Sequence, residues 1–214
     1  METEEDYIYN DISKSVPKNV VRVVVKDLTE IGDSAFAYCT SLVEITFPDD
    51  LEKIGDKAFE SCRSLVKITL PKDLKEIGYS AFVYCKSLRD INLPDNLSVI
   101  GSSAFAYCTS LNNIKLPKDL KKISAGAFEG TSLNNITFPA NLEEIGARAF
   151  AYCTSLNNIK LPDNLKKIGN SAFFHCTSLV EITFPDDLSV IGSSAFAYCK
   201  SLKIITFPKA LKKI

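Results

Sequence analysis

Seven cysteines, a single histidine and several doubled carboxylates are the side chains of this sequence that could do chemistry. Cys39, Cys62, Cys85, Cys108, Cys153, Cys176 and Cys199 all stand at the same place in a repeating frame. Stacked on a parallel ladder, neighbouring thiols would lie roughly 5 Å apart, a distance that invites disulfides. Seven is an odd number, however, and no CxxC pair occurs. A free cysteine packs as a small hydrophobe. The spacing therefore predicts free, buried thiols in a core column rather than a redox or metal centre. His175 occupies the column otherwise filled by Tyr38, Tyr84, Tyr107, Tyr152 and Tyr198, which makes it an aromatic replacement rather than a base or a metal ligand. The serines of GSSAF and TSL recur without a histidine beside them, and a serine nucleophile needs such a base. The doubled carboxylates fall on outer corners, where water solvates them and no dry, shaped site forms. No glycine-rich phosphate loop occurs. These residues point away from an enzyme and require no cofactor and no metal.

The frame that positions them is LxxIGxxAFxYCxSLxxIxLP, with its first Leu at 28, 51, 74, 97, 120, 142, 165, 188 and 211. The step is 23 residues throughout, except for one of 22 between Leu120 and Leu142. A fixed period of this size specifies a solenoid, in which each turn touches mainly its neighbours. Residues 20–214 thus form one array, opened by a half-repeat at 20–27 in which Val20 to Val25 supply the first rung. Residues 1–19 lack the frame. They form an acidic N-terminal extension or cap (Glu2, Glu4, Glu5, Asp6, Asp11), with Tyr7, Ile8, Tyr9 and Ile12 placed to pack on the first turn.

Each turn reads as three sides. In SLVEITF, Ile45 and Phe47 point one way while Glu44 and Thr46 point the other, the alternation of a strand with one buried face. Pro48 ends that strand, since proline cannot donate to a ladder. Leu51 and Ile54 then return to the core, leaving Glu52 and Lys53 outside. In DKAFESC, Ala58, Phe59 and Cys62 share a face at i, i+1 and i+4, a spacing that predicts a short helical segment capped by Asp56. Gly55 marks the preceding corner, and Ser124 in the same column shows that a positive φ is not required there. The fifth turn, ISAGAFEGTSL, has lost a residue, its Cys and its Tyr, and Gly130 stands where a helical piece would be C-capped. On the outer corners Glu52-Lys53 faces Lys75-Glu76, and Lys121-Lys122, Glu143-Glu144 and Lys166-Lys167 alternate in sign. Opposite charges on neighbouring rungs reinforce register.

With 25 Lys+Arg against 26 Asp+Glu the net charge is −1, so no global field recruits nucleic acid or an anionic membrane. No apolar run reaches the length of a membrane span, so no membrane insertion is expected. The start, METEEDYIYN, is acidic and polar, unlike a secretory signal. The compartment stays open: intracellular if the chain is complete, cell-surface or secreted if it is a fragment.

The repeat IGxxAFxxCxSLxxIxLP resembles the BspA-type, or Treponema-type, leucine-rich repeat over residues 28–214, in eight successive copies. The resemblance implies a right-handed α/β solenoid of about eight 23-residue turns, with a concave parallel β-sheet and short helical segments elsewhere. It also implies a non-catalytic recognition or adhesion role through protein–protein contacts, and, for a fragment of such a protein, a place at the cell surface.

A protein or peptide partner would meet the outward positions of the concave strands. These are Glu44, Lys67, Asp90, Asn92, Asn113, Lys115, Asn135, Thr137, Asn158, Lys160, Glu181 and Thr183, which vary between turns while the core columns repeat. The middle turns combine asparagines with Lys115 and Lys160, a polar and mildly basic patch suited to an acidic or extended polypeptide. The alternative is a structural or assembly module, within a longer surface protein or a homo-oligomer. The chain stops at Leu211-Lys212-Lys213-Ile214, partway through a ninth turn, so the expectation is either that the natural chain continues or that an open edge there supports a homodimer.

Overall fold

A computed structural model describes residues 6–208 and 211–212. In chain order its strands begin with Tyr7–Tyr9 (β1), Arg22–Val25 (β2), Glu30–Ile31 (β3), Glu44–Thr46 (β4), Lys53–Ile54 (β5) and Lys67–Thr69 (β6). They continue with Glu76–Ile77 (β7), Asp90–Asn92 (β8), Val99–Ile100 (β9), Lys122–Ile123 (β10), Asn135–Thr137 (β11) and Glu144–Ile145 (β12). The last are Asn158–Lys160 (β13), Lys167–Ile168 (β14), Glu181–Thr183 (β15), Val190–Ile191 (β16) and Ile204–Thr206 (β17). All pairings are parallel, and partners lie one turn apart in sequence, as Ile31 with Ile54 and Ile136 with Ile159. The result is a parallel β-solenoid of about eight turns of about 23 residues.

Two sides of each turn are strands. The first carries the three-residue strands, in ladders β1-β2-β4, β6-β8 and β11-β13-β15-β17. The turn between β8 and β11 contributes only single bridges, from Lys115 to Asn92 and to Thr137. The second side carries the two-residue strands, in ladders β3-β5-β7-β9 and β10-β12-β14-β16.

The third side differs from the sequence expectation: among the described residues it contains no helix. Alternate amides point along the solenoid, so that Ser34, Phe36 and Tyr38 donate to the carbonyls of Asp56, Ala58 and Glu60 in the next turn. The amides between them, of Ala35, Ala37 and Cys39, close back three residues onto Gly32, Ser34 and Phe36. A helix would direct every amide along its own axis instead. The alternation requires two left-handed residues per turn, such as Ser34 and Tyr38 (φ 55° and 63°) or Ser103 and Tyr107 (φ 56° and 59°). Each costs a non-glycine residue about 1–2 kcal/mol, offset by the bonds to the neighbouring turn. The i, i+1, i+4 burial is therefore made by consecutive turns. Asp56 correspondingly caps no helix; its Oδ1 accepts the amide of Tyr79 one turn on, at 2.7 Å.

The core is a set of columns. The phenylalanines from Phe36 to Phe196 stack with centroids 5.2 Å apart at Phe36–Phe59, 5.0 Å at Phe59–Phe82 and 5.6 Å at Phe105–Phe128. Leu, Ile, Ala and Cys columns fill the rest and are buried. The glycine column has ordinary negative φ, as Ser124 implied. Glycine stands there because adjacent backbones touch: a Cβ on Gly101 would lie 2.4 Å from the carbonyl carbon of Gly78.

The N-terminal segment adds a rung the sequence did not reveal. β1 pairs with β2 ahead of the expected first rung, Tyr9 is buried against Phe36 at 4.9 Å, and Val16 is buried. Ile8 and Ile12, expected to pack, are exposed instead, Ile8 on the outward side of the added rung and Ile12 in the turn that follows it. Glu2, Glu4 and Glu5 lie outside the described residues.

Candidate binding face

Strand alternation delivers the outward residues as anticipated. Glu44, Lys67, Asp90, Asn92, Asn135, Thr137, Asn158, Lys160, Glu181 and Thr183 are exposed on either side of a buried isoleucine in β4, β6, β8, β11, β13 and β15. Asn113 and Lys115 are exposed around buried Ile114 in the turn that forms no regular strand. In-register pairing sets Asn135 beside Asn158 and Thr137 beside Lys160. A second asparagine column, Asn112, Asn134 and Asn157, runs alongside, with amides of Asn134 and Asn157 bonded to the carbonyl one turn back. With Asn92, seven asparagines thus adjoin Lys115 and Lys160, the Oδ1 of Asn157 being buried.

The lysines of this face differ from those of the second side. There, Lys75 reaches Glu52 at 2.5 Å, Lys53 reaches Glu76 at 3.5 Å, and Lys166 reaches Glu143 at 3.0 Å. Glu144 takes both Lys122, at 3.4 Å, and Lys167, at 3.1 Å. The hydrogen bond and charge of Lys166 hold the Glu143 carboxyl below its ordinary range. On the strand face, Lys67, Lys115 and Lys160 have no ion pair among the described residues.

The cysteines are free, six of them buried and Cys199 half-buried. Each thiol from Cys62 onward donates to the carbonyl of a phenylalanine in the preceding turn, as Cys108 to Phe82 at 3.1 Å and Cys153 to Phe128 at 3.1 Å. Burial raises the thiols of Cys62, Cys85, Cys108 and Cys153, that of Cys153 to about 11, while the hydrogen bond with Cys176 lowers that of Cys199. In the fifth turn buried Thr131 takes the cysteine's place and bonds Phe128 O at 2.9 Å and the sulfur of Cys153 at 3.3 Å. His175 lies between Tyr152 and Tyr198, with ring centroids 5.5 and 6.1 Å away.

One polar cluster escaped the sequence reading. The tyrosine column is interrupted by Ser61 and Gly130. At both gaps the preceding tyrosine donates to a glutamate of the next turn: Tyr38 to Glu60 at 2.6 Å and Tyr107 to Glu129 at 2.5 Å. Gly130, at φ +67° in the Tyr107 position of its turn, lies under that ring, and a Cβ there would come 2.7 Å from Tyr107 Cδ1. Glu129 is buried and also accepts a two-pronged bond from Arg148, at 2.6 and 3.1 Å. The Glu129 hydrogen bond, with burial, raises Tyr107 to about 12. Glutamate occupies this column only at Glu60 and Glu129, each followed by a small residue, which is the signal that marked the pair.

A regular parallel array built from one repeated sequence frame defines a solenoid repeat protein. The family described as BspA type Leucine rich repeat region matches residues 29–157 and 121–214, and the chain belongs to it. A leucine-rich repeat protein from Bacteroides ovatus is similar at 30% identity and TM-score 0.71, over 95% of this chain and 64% of that one. The T. pallidum Leucine Rich Repeat protein is similar at 27% identity and TM-score 0.55, over 92% of this chain and 72% of that one. The chain thus spans somewhat less than two thirds of the length of the Bacteroides ovatus relative. No curated protein sequence matches it. Leucine-rich repeat proteins generally mediate protein interactions and are generally non-enzymatic.

Proposed function

We propose that this chain is a non-catalytic protein-binding scaffold whose strand face, concave in the family it resembles, holds an extended acidic polypeptide. The observation that carries the reading is the pair of unneutralised lysines, Lys115 and Lys160, set among asparagine columns on a surface of otherwise regular strands. Carboxamides offer donors and an acceptor to a peptide backbone, while the lysines attract acidic side chains and make association salt-sensitive. The test is a Lys115→Glu, Lys160→Glu double variant, which should fold normally because both side chains face water. Binding of fluorescent poly-L-glutamate at low salt should be lost in it. Unchanged binding, with loss on altering Tyr107 and Tyr152 instead, would move the site to the third side.

A second reading, self-association, is favoured by β17. Ile204 replaces the polar residues of its column on the strand face and is 58% exposed. Sedimentation should then show a concentration-dependent dimer that Ile204→Lys abolishes; a monomer at all concentrations removes this reading.

A further inference from the structure

We infer that the array is jointed between its fourth and fifth turns, and that a ligand on the strand face holds the joint closed; the second clause rests on the binding-face reading above. At the other seams of the second side, backbone amides bridge the turns in a fixed pattern. Ser98 and Val99 donate to Lys75, and Gly101 donates to Ile77; Lys166 and Lys167 donate to Glu143, and Gly169 donates to Ile145. Among the described residues no such bond joins Ser98–Ile100 to Lys121–Ser124, and the ladder stops at β9 and restarts at β10. The Ser124 hydroxyl, in the glycine column, bonds Ile100 O at 2.6 Å across the gap.

The strand face is bonded across this seam by the Lys115–Thr137 bridge and by the Asn134 amide, which donates to the Asn112 carbonyl at 3.3 Å. The third side is fully bonded there, with Ser103, Phe105 and Tyr107 donating to Ala125, Ala127 and Glu129 at 2.6–2.8 Å, and with the Tyr107–Glu129 side-chain bond beside them. The second side alone lacks backbone bonds at this seam, so the joint opens there and turns about the other two sides. The phenylalanine column runs through it, at its widest spacing, 5.6 Å, so the two blocks stay packed while the second side parts. Lys115 stands on one block and Asn135 and Thr137 on the other, so a polypeptide touching both spans the joint. Its binding free energy differs between open and closed forms, which is what a shift of population requires.

Amide exchange on the intact chain tests this. Lys121, Lys122 and Ser124 should exchange about tenfold faster than Lys166, Lys167 and Gly169, since local opening at the seam lacks bonds to break; equal rates would overturn the joint. Saturating poly-L-glutamate should then slow the seam amides, and the Lys115→Glu, Lys160→Glu variant should keep the fast exchange without the slowing. If poly-L-glutamate binds and the seam amides keep their rates, the coupling is wrong while the binding face stands. If it does not bind, the binding face and the coupling fall together, and the unliganded rates still decide the joint.

Discussion

The strand face and the second side are built from the same parallel rungs, yet they treat lysine in opposite ways. Along the second side, charge alternates from turn to turn, so in-register stacking places Lys166 against Glu143 and Lys167 against Glu144. Along the strand face the same register sets Lys160 against Thr137, and Lys115 against Asn92 and Thr137. A solenoid makes every column an independent choice: register is fixed by the buried Leu, Ile and Phe columns, and exposed columns are free to neutralise themselves or to remain available. The contrast separates positions that serve the array from positions that, in the function proposed above, are left to a partner.

The largest expected effect concerns what both faces share. Phe128→Ala empties one rung of the stacked column and should cost about 3–5 kcal/mol, lowering the urea midpoint measured by circular dichroism. A cost below about 1 kcal/mol would mean that the turns are not held by this column.

The third side supplies a sharper comparison, since Glu129 is a charge that cannot be left alone. Arg148→Ala strands a buried carboxylate and should cost about 1–3 kcal/mol, most of it recovered when Glu129→Ala is added. Equal costs for the single and the double variant would show that Glu129 does not depend on its partner.

Tyr107 gives the pH signature of the same cluster. The unfolded chain loses this proton near 10, while the folded chain keeps it to about 12. The stabilisation is complete below the lower value and declines as pH rises between the two. Glu129→Gln should make the alkaline decline in unfolding midpoint smaller, the remainder coming from the buried thiols, which also keep their protons longer in the folded chain; a decline of the same size in the variant would assign none of it to this hydrogen bond.

Smallest is the direct comparison of lysines. Lys166→Gln should cost about 0.2–1 kcal/mol at low salt, and Lys160→Gln nothing measurable. A larger loss at Lys160 would mean that it braces the sheet after all.

Much of this was legible in the period. The 23-residue step, the buried columns and the outward strand positions follow from which side chains repeat, as Ile136 and Ile159 do. The absence of helix was not legible, because Ala58, Phe59 and Cys62 share a face both in a helical turn and in two consecutive tight turns. The clue was in the odd copy: Gly126 and Gly130 stand where Ser103 and Tyr107 stand one turn earlier, at the two left-handed positions. The rung at Tyr7–Tyr9 follows no frame, so nothing periodic announced it. The interrupted ladder at β9 and β10 is a backbone event, and Ser124 was its only side-chain trace. The partner's identity leaves no mark in the columns, since exposed residues carry no packing constraint.

The most direct measurement compares two neutralised variants of equal net charge, Lys115→Gln, Lys160→Gln and Lys166→Gln, Lys167→Gln, in binding labelled poly-L-glutamate across a salt series. Losing two ionic contacts on the strand face should weaken binding and flatten its salt dependence in the first variant, with the second indistinguishable from the parent chain. Equal weakening in both would show that binding follows total charge, and would contradict the strand face as the site.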